Sequence, residues 1–497
     1  MTYPSRRTIR RLCRDYNRIP VYRELGISEL GLLTLLKSLL KEEAAIFFES
    51  ARENKTWSRY SFLGLYPKRI ISFSSRGIIE RSQSGEEHRG HDFFGYLKKE
   101  LGRYRSPTYG RFGAFSGGLA GYFGYELVNH TGILRQAVKV DERRPLALLA
   151  HIDDFIVHDN RLGRLYIAHC LYPDPSRPID ELYDEAIECL DGIERKIIAL
   201  VERTTVPFLP SSPDSVTLAM RLPREEYMEN VRRTRELIAA GEAIQAVMSV
   251  RGDILERIDP YSFYLKLRAL NPSPYMFFLK FGDLHIAGSS PETHVRMDRG
   301  EVFLKPIAGT IRRGSNRIEN ERNKAALLAD TKERAEHLML VDLARNDLGR
   351  IAAAGSVRVE SFMRPEDYSH VIHLVSLVRA SLAEGRDAAD VLRETFPAGT
   401  VSGAPKVRAI EMIDELERHP RHIYAGAIGY LGFDGNLDTC IAIRTAVFSP
   451  GEQYLQAGAG IVYDSVPERE YEEVLHKMEA LAESLGYARA REAQACS

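Results

Sequence analysis

The pattern of apolar positions predicts a first part of the chain built mainly from strands. Short stretches rich in β-branched and aromatic residues, several with alternating polarity, are typical of strands. They are AAIFFES (44–50), YSFLGLYP (60–67), RIISFSS (69–75), FIVHDN (155–160) and LYIAHCLY (165–172). A helical spacing of apolar residues predicts that YDEAIECLDGIERKIIALVER (183–203) closes this part as a helix.

The rest of the chain mixes strands and helices without strict alternation. Residues 224–242 have apolar positions at helical spacing and predict a helix that ends at Gly241. We expect a strand at 243–253 and a hairpin at 276–290 that turns near Gly282. We also expect helices at 331–351 and 469–487, and two strands joined by a turn at 424–448. This order predicts mixed sheets with packed helices rather than a doubly wound parallel sheet.

A stretch rich in Pro, Ser and Thr, RTTVPFLPSSPDSVTLAMRL (203–222), indicates a domain boundary. The chain has 497 residues, of which 44% are hydrophobic, and this is enough for two or three domain-sized cores. We therefore predict an N-terminal domain at 1–210 and a C-terminal domain at 211–497.

Composition and charge exclude several classes of protein. The net charge of −1 gives no basic field for nucleic acid, and no apolar run approaches the roughly 18 residues that span a bilayer. No apolar segment follows the basic N-terminus, which argues against a secretory signal. The five cysteines are scattered and never form C-x-x-C, so we expect reduced thiols in a cytoplasmic protein and no structural zinc site.

The stretch FPAGTVSGAPKVRAIEMID (396–414) predicts an anion-binding loop before a helix. Glycines allow a ligand to approach the backbone, and N–H groups at a helix start attract negative charge. A phosphate loop needs G-x-x-x-x-G-K-[ST], but here two residues separate Gly403 from Lys406, and Val407 replaces the hydroxyl. A carboxylate is therefore the better candidate.

Two predicted helices each carry a pair of glutamates three residues apart. Glu333 and Glu336 form one pair, and Glu470 and Glu473 form the other. Residues at this spacing share a helix face, so facing helices would bring four carboxylates together, where a cation relieves their repulsion. Oxygen ligands without a His or Cys cluster suit Mg²⁺. Lys477 lies on the same face. Such pairs are also common on solvated helix surfaces, and spacing alone leaves both interpretations open.

Five further motifs, taken in order, resemble the chorismate-utilising enzymes and, among them, the large subunits of anthranilate synthases. The motifs are KPIAGTIRRG (305–314), AEHLMLVDLARNDLGR (335–350), FPAGTVSGAPK (396–406), DTCIAIRT (438–445) and LQAGAGIVYDS (455–465). FFESARENKTWSRYSFLGL (47–65) and GGLAGYFGYE (117–126) extend the resemblance over nearly the whole chain. It implies an α+β fold whose largely antiparallel sheets pack as a layered sandwich with surrounding helices.

The resemblance also implies how the two carboxylates of chorismate are held. One lies on Mg²⁺, which is bound by Glu336 and Glu473 with Glu333 and Glu470 adjacent. The other is held by Arg444, Tyr424 and backbone N–H groups around Gly458 and Gly460. The remaining expected substrate contacts are Gly309, Thr310, Thr400 and Lys477. A structural or capping role for Lys406 is at least as well supported as ligand contact.

The same resemblance assigns the proton transfers. Glu292 is the candidate general acid for the departing ring hydroxyl, and His373 is the candidate base for the ring proton. Without the resemblance, a histidine between Ile372 and Leu374 is more typical of a protein core. Gln245 and Thr400 complete the expected catalytic set.

Two positions distinguish among relatives. Water-adding members, the isochorismate and salicylate synthases, have a lysine base where this chain has Gln245, which is able to orient ammonia but not to deprotonate water. Aminodeoxychorismate synthases often have a nucleophilic lysine where this chain has Ala308. Both residues favour anthranilate. Aminodeoxychorismate synthase is the alternative, isochorismate or salicylate formation ranks third, and a non-catalytic tryptophan-binding regulator is a different class.

The resemblance further implies regulation and a partner. FFES (47–50) and NPSPYM (271–276) resemble a tryptophan feedback site, with a structural contact between domains as the alternative. Its expected residues are Glu49, Ser50, Lys55, Pro272, Ser273, Pro274, Tyr275 and Met276. No cysteine lies in a G-x-C-x-G setting, so ammonia would come from a separate glutamine amidotransferase subunit in a heterodimer or heterotetramer.

Overall fold

The computed structural model of the protein describes residues 2–26, 29–50, 59–110, 112–113, 115–203, 216–368 and 371–485. Lys55, which we expect in the tryptophan site, lies outside these residues. So does the predicted domain boundary between residues 210 and 211.

The first part of the chain contains eleven described strands and four helices, which end with the long predicted helix. In chain order they are β1 Thr2–Tyr3, α1 Arg6–Leu12, β2 Ile19–Leu25, α2 Glu29–Leu39, β3 Ala44–Glu49, β4 Tyr60–Leu65, β5 Arg69–Ser74, β6 Gly77–Ser82, β7 Gly85–His88, α3 Phe93–Gly102, β8 Gly118–Phe123, β9 Ala147–Ile152, β10 Asp154–Asp159, β11 Arg164–Leu171 and α4 Ile179–Arg203.

The second part contains fourteen described strands and seven helices. They are β12 Leu218–Met220, α5 Arg224–Ala239, β13 Gln245–Ile254, α6 Pro260–Leu270, β14 Tyr275–Phe281, β15 Leu284–Ser290, β16 Thr293–Asp298, β17 Glu301–Leu304, β18 Ile307–Arg312, α7 Arg317–Ala329, α8 Thr331–Gly349, β19 Arg358–Asp367, β20 Val371–Ser381, α9 Ala388–Thr395, β21 Gly403–Ala404, α10 Lys406–Leu416, β22 Ala427–Gly432, β23 Leu437–Ile441, β24 Thr445–Ser449, β25 Glu452–Ile461 and α11 Pro467–Ala482.

The strands form two large sheets in which every described pair is antiparallel. The first sheet has the order β1-β2-β11-β10-β4-β3-β14-β15-β24-β25-β13-β12, with β21 also on β13. The second has the order β18-β20-β17-β16-β23-β22-β8-β9-β5-β6-β7, with β19 also on β20. Strand β14 pairs with β3, and β22 pairs with β8, so both sheets take strands from each part of the chain.

Three large hydrophobic cores among the described residues order these elements as layers. One core lies between the two sheets and joins Phe62, Phe155 and Phe277 of the first sheet to Tyr122 and Tyr430 of the second. A second core packs α2, α4, α5, α6 and α11 on the outer face of the first sheet. A third packs α3, α8 and α9 on the outer face of the second sheet. This arrangement of helices outside two antiparallel sheets confirms the predicted fold class.

The structure differs from the prediction at residues 424–448, where three strands replace the expected two. Strands β22 and β23 pair in the second sheet, but β24 pairs with β15 and β25 in the first. The chain therefore crosses between the sheets at Ala442–Arg444, and Arg444 takes a positive φ of 49° there. In the part of the chain that the structure describes, no helix combines the length and apolar character needed to cross a membrane.

Candidate active site

The structure brings the two predicted glutamate pairs into one region. Asp330 caps α8 by accepting hydrogen bonds from the backbone N–H groups of Lys332 and Glu333, which places Glu333 in the first turn. Burial raises the pKa of Glu336, and the charges of Glu333 and Glu473 raise it further. Because Glu473 lies on α11, the acidic side chains of α8 and α11 are near enough for their charges to interact. Burial and the charge of Glu473 likewise raise the pKa of Glu470.

Two lysines lie beside these carboxylates. The positive charges of Lys332 and Lys477 lower the pKa values of both Glu336 and Glu470. The Nζ atom of Lys477 is 2.7 Å from Glu473 and donates to the carbonyl of Gly458 at 2.9 Å. Lys477 therefore joins the acidic helix to the strand that contains the predicted carboxylate-binding glycines.

The donor chemistry of the four glutamates fits a hard divalent cation. Among the described residues, no three or more His, Cys, Asp and Glu side chains are grouped closely enough to form a metal cage. Mg²⁺ commonly takes only one or two protein carboxylates and completes its shell with water and substrate oxygens. Burial and neighbouring carboxylates raise the pKa values of Glu336 and Glu470, and a cation relieves the repulsion between the carboxylates. The magnesium role of Glu333, Glu336, Glu470 and Glu473 stays a prediction.

Glu292 lies in the connection between β15 and β16, near the cationic side of this region. Burial raises the pKa of its carboxyl group to about 7, while Thr400, Arg444 and Lys477 lower it. The hydroxyl of Thr400 is buried and lacks a hydrogen bond of good geometry within the described chain, although it lies near enough to affect Glu292. A carboxyl group with this pKa is partly protonated at neutral pH and is suited to proton donation.

The predicted binding groups for the second carboxylate lie around Gly458. A Cβ atom on Gly458 would approach the Tyr424 hydroxyl to 2.7 Å, so only glycine leaves space beside that hydroxyl. Tyr424 is buried and burial raises its pKa, which keeps the phenol protonated as a donor. Arg444 is exposed at the crossing between the sheets and is near enough to Glu292 to lower its pKa. The structure thus brings Tyr424, Arg444 and Gly458 to the same end of the site.

Gln245 lies at the start of β13, directly against Gly460. A Cβ atom on Gly460 would lie 2.2 Å from the side-chain nitrogen of Gln245, so this glycine provides the space for the amide. Strand β21 pairs with β13 here in antiparallel orientation, and Gln245 is opposite Ala404 of the 396–406 loop. Gln245 is therefore placed between the glycine strand and the loop that carries Thr400.

His373 lies on β20 opposite Thr310. Its Nδ1 atom is 3.1 Å from the carbonyl oxygen of Gly309 and 3.0 Å from the Thr310 hydroxyl. Donation from Nδ1 to the carbonyl fixes the tautomer in which Nε2 is the basic nitrogen. The backbone N–H of Thr310 donates to Glu333 at 3.2 Å, which joins the histidine to the acidic helix. The pairing of β18 with β20 shifts register between Ala308 and Thr310, which indicates a β-bulge. Ala308, the position that distinguishes relatives, lies at the start of this bulge.

Lys406 forms an internal ion pair. Its Nζ atom is 2.8 Å from the carboxylate of Asp347 on α8 and also donates to the carbonyl of Thr395 at 3.2 Å. Both side chains are about 10% exposed or less. These contacts give Lys406 a structural position that joins the 396–406 loop to α8 and to the end of α9.

Comparison with known proteins shows the family of this chain. A sequence profile described as chorismate binding enzyme matches residues 43–483. The chain belongs to the chorismate-binding enzymes. It is 43% identical to anthranilate synthase component 1 of Aquifex aeolicus, and the alignment covers 96% of each protein.

Solved structures agree with the fold. Anthranilate synthase component I of Streptococcus pneumoniae superposes with a TM-score of 0.71 at 33% identity, covering 86% of this chain and 92% of that one. The menaquinone-specific isochorismate synthase of Escherichia coli gives a TM-score of 0.66 at 19% identity, covering 97% of this chain and all of that one. The second similarity supports the fold alone.

The predicted tryptophan site of this chorismate-binding enzyme surrounds a cavity between the sheets. Glu49, Ser50, Pro274, Tyr275 and Met276 line it together with Tyr430 and Asp438 of the second sheet. The Ser50 hydroxyl donates to the Pro274 carbonyl at 3.1 Å. The Glu49 carboxylate already accepts hydrogen bonds from Tyr264 and Arg268, so a ligand ammonium would share it. Pro272 and Ser273 precede the cavity in the same segment, and Ser273 is buried.

Several residues of the site region were not predicted from the sequence. Lys332 is a lysine in a charged helix start and has no distinguishing pattern. Ser465 affects Glu470 through a hydrogen bond, and only its place before α11 hinted at this contact. Arg421 and Glu417 are buried beneath the 396–406 loop, but their local sequence, ELERHPRH, is typical of an exposed segment.

Proposed function

We propose that this chain is the chorismate-binding component of an anthranilate synthase, a carbon–oxygen lyase that converts chorismate and ammonia into anthranilate and pyruvate. The observation that carries the proposal is that Lys477 joins Glu473 of acidic α11 to Gly458, which lies beside Tyr424, while Glu292 is near Thr400, Arg444 and Lys477. Relatives named anthranilate synthase component 1 cover nearly the whole chain and support it.

Arg444, Tyr424 and the backbone near Gly458 are placed to bind one substrate carboxylate. An exposed guanidinium provides charge, and the phenol and backbone N–H groups provide directed donors. Glu336 and Glu473, with Glu333 and Glu470 adjacent, would hold Mg²⁺ for the other carboxylate. When bound, this cation supplies Lewis acidity to the ring carboxylate. Substrate held at both ends presents its ring to Thr400 and Gln245.

Proton transfer is assigned to Glu292 and His373. The carboxyl of Glu292 donates a proton to the departing ring hydroxyl, which leaves as water. His373 then accepts the ring proton at Nε2, because Nδ1 faces the Gly309 carbonyl. The electron pair of the broken C–H bond makes the ring aromatic as the C–O bond to the enolpyruvyl group breaks, and the departing enolate takes up a proton to become pyruvate. The two groups thus act in sequence, one as acid and one as base.

The nitrogen source is ammonia, and Gln245 orients it. An amide accepts and donates hydrogen bonds but has no basic lone pair at neutral pH, so it is suited to a nucleophile that needs no deprotonation. Ala308 offers no side-chain nucleophile, which favours direct addition over a covalent intermediate. A partner glutaminase subunit is expected, because no cysteine of the sequence lies in a G-x-C-x-G nucleophile setting.

Tryptophan is the proposed feedback inhibitor. The cavity that contains Ser50, Tyr275 and Met276 combines polar groups with apolar walls, as an amino acid with an aromatic side chain requires. Because the two sheets form its opposite walls, an occupant contacts both.

One product assay tests the proposed reaction. The purified chain, with chorismate, Mg²⁺ and an ammonium salt, is expected to form fluorescent anthranilate and an equal amount of pyruvate. With glutamine as the nitrogen source, it should be inactive until a glutaminase subunit is added. Accumulation of aminodeoxychorismate, which does not aromatise without a lyase, or of isochorismate would refute the assignment.

A further inference from the structure

Several segments that carry proposed substrate-binding residues meet on one buried side chain. Arg421, which is 1% exposed, precedes Tyr424 by three residues. Its Nη1 atom donates to the Val401 carbonyl at 2.8 Å, and its Nη2 atom donates to the Val247 carbonyl at 2.5 Å. Val401 follows Thr400 directly, and Val247 lies two residues after Gln245. One guanidinium thus joins the loop, β13 and the segment that carries Tyr424.

Glu417 holds this guanidinium in place and extends its contacts to the glycine strand. The Arg421 Nε and Nη2 atoms donate to the two carboxylate oxygens at 2.8 and 2.6 Å. The backbone N–H and the hydroxyl of Ser249 donate to the same carboxylate at 2.7 and 2.9 Å. Ser249 is the antiparallel partner of Gly458. The network therefore reaches the loop after Thr400, strand β13 and, through Ser249, the strand that carries Gly458.

Arg421 also contacts Tyr424 directly. Its guanidinium carbon lies 5.6 Å from the centre of the Tyr424 ring and 4.9 Å from that of Tyr125. Both distances are within the range of a cation–π interaction. The ring of Tyr424 is thus positioned on one side by Arg421, and Gly458 leaves space at its hydroxyl.

We propose that Arg421, clamped by Glu417, is a positioning residue that fixes Tyr424, Gly458 and Thr400 for binding of the second substrate carboxylate. The inference rests on the proposed function. A guanidinium sends donors in several fixed directions, whereas a lysine ammonium is a single flexible point charge.

The test compares Arg421→Lys with a matched control, Arg18→Lys. Arg18 is also fully buried, at 0% exposure, and donates to Asp153 and to the carbonyls of Ser116 and Ile152, away from the site. In Arg421→Lys we expect KM for chorismate to rise about tenfold or more, with a smaller fall in kcat, since misplaced binding groups cost up to about 100-fold. In Arg18→Lys, KM should stay within about twofold of wild type, because that site only stabilises the fold.

A folded Arg421→Lys protein with the wild-type KM would overturn the proposal, as would an equal rise in KM for Arg18→Lys. Should Arg421→Lys fail to fold, Ser249→Ala removes one donor to Glu417 and leaves the ion pair intact. We expect it to raise KM for chorismate about fivefold, the effect of one hydrogen bond of ~1 kcal/mol, and an unchanged KM would again count against the network.

Equilibrium dialysis of chorismate with Mg²⁺, without ammonia, separates this inference from the proposed reaction. Weaker binding in Arg421→Lys but not in Arg18→Lys supports the positioning role, whatever the product. If the wild type binds chorismate but forms no anthranilate, the proposed reaction fails and the dialysis comparison still decides the role of Arg421. Equal chorismate affinity in all three proteins overturns the positioning role.

Discussion

At the scale of single residues, burial controls the protonation of the acidic groups in the site. Burial raises the pKa of Glu292 to about 7, and the neighbouring Thr400, Arg444 and Lys477 lower it from an even higher value. Glu336 and Glu470 also have raised pKa values, but a cation between the helices would lower them again. The same residue type is thus the proposed proton donor at one position and the predicted metal ligand at the others.

The raised pKa of Glu292 predicts a pH limb in the rate. At a fixed concentration of free ammonia, kcat should fall as pH rises through about 7, because the carboxyl loses the proton that it donates. The side chain in Glu292→Gln does not titrate, so this pH dependence should disappear. The value of kcat should also fall by about 10²–10⁴-fold. Anthranilate fluorescence measured on both sides of this pH checks the prediction.

Glu126 provides the control for this limb. Burial also raises its pKa to about 7, but its carboxylate accepts backbone N–H groups of Arg421 and His422 and has no assigned part in proton transfer. Glu126→Gln should keep the limb. Its disappearance in Glu126→Gln, or its persistence in Glu292→Gln, would contradict the assignment of the general acid.

Replacing Glu336 tests the predicted cation site. The negative charges of Glu333 and Glu473 repel the Glu336 carboxylate. Because Glu336→Gln removes this repulsion, the fold should be retained. The Mg²⁺ concentration needed for half-maximal activity should rise by more than the roughly 10–100-fold that is typical of an outer-shell partner. The exposed Glu472, beside Glu473 on α11, is the control, and Glu472→Gln should respond to Mg²⁺ as wild type does. An unaltered Mg²⁺ response in Glu336→Gln would remove Glu336 from the site.

At the scale of elements, the position of α8 depends on contacts made far from its glutamates. Its C-terminal half carries Asp347, which pairs with Lys406 at the start of α10. Its N-terminal half carries His337, whose Nε2 atom lies 2.6 Å from the Ser376 hydroxyl of β20. These two contacts fix the helix against the loop that carries Thr400 and the strand that carries His373.

The ion pair between α8 and α10 predicts a stability effect with a specific rescue. Burial raises the pKa of Asp347, and Lys406 lowers it. Lys406→Met should leave a buried carboxylate unpaired and destabilise the fold by about 3–5 kcal/mol at neutral pH. The double variant Lys406→Met/Asp347→Leu should recover most of this loss, because the unpaired charge is gone. Urea unfolding compares the two, and a double variant no more stable than Lys406→Met would show that the pair is not the cause.

Periodicity predicted most elements but not the connection between sheets. The hairpin at 276–290 and the helix at 331–351 form as β14–β15 and α8, since alternation and helical spacing are local properties. The crossing at Ala442–Arg444 is hidden within the apolar run CIAIRTAV, because a strand that changes sheets keeps the same residue types. Periodicity therefore predicts the individual elements, whereas the crossing between sheets is determined by how the strands pack in the core.

The candidate site likewise contains residues that local sequence patterns predicted and residues that they did not. Glutamate spacing on two helices was visible in the sequence, but the meeting of these helices depends on both sheets. The resemblance provided Tyr424, Arg444 and Gly458 as a set. Arg421 was missed because only Glu417 is near it in the sequence, whereas its two carbonyl partners, Val401 and Val247, are 20 and 174 positions away. No local pattern encodes such a contact.

At the scale of the whole molecule, the sheets connect the predicted regulatory cavity to the site. The Tyr275 hydroxyl donates to Asp438 at 2.8 Å and lies 3.0 Å from the hydroxyl of Thr293. Thr293 directly follows Glu292. A ligand that moved Tyr275 would therefore act on the segment that carries the proposed acid, through a chain of packed and hydrogen-bonded groups.

This connection predicts that tryptophan inhibits the chain and that binding and inhibition are separable. Tryptophan should lower the rate of anthranilate formation and also stabilise the fold, by ~2.7 kcal/mol at 100 times its Kd. Ser50→Ala should weaken binding about fivefold, because it removes a hydrogen-bonding group worth ~1 kcal/mol. Tyr275→Phe keeps the ring but loses the contacts to Asp438 and Thr293, so it should bind tryptophan with less inhibition. Calorimetry measures binding and product fluorescence measures inhibition. A rate and an unfolding midpoint that do not change at saturating tryptophan would show that the cavity has only a structural role.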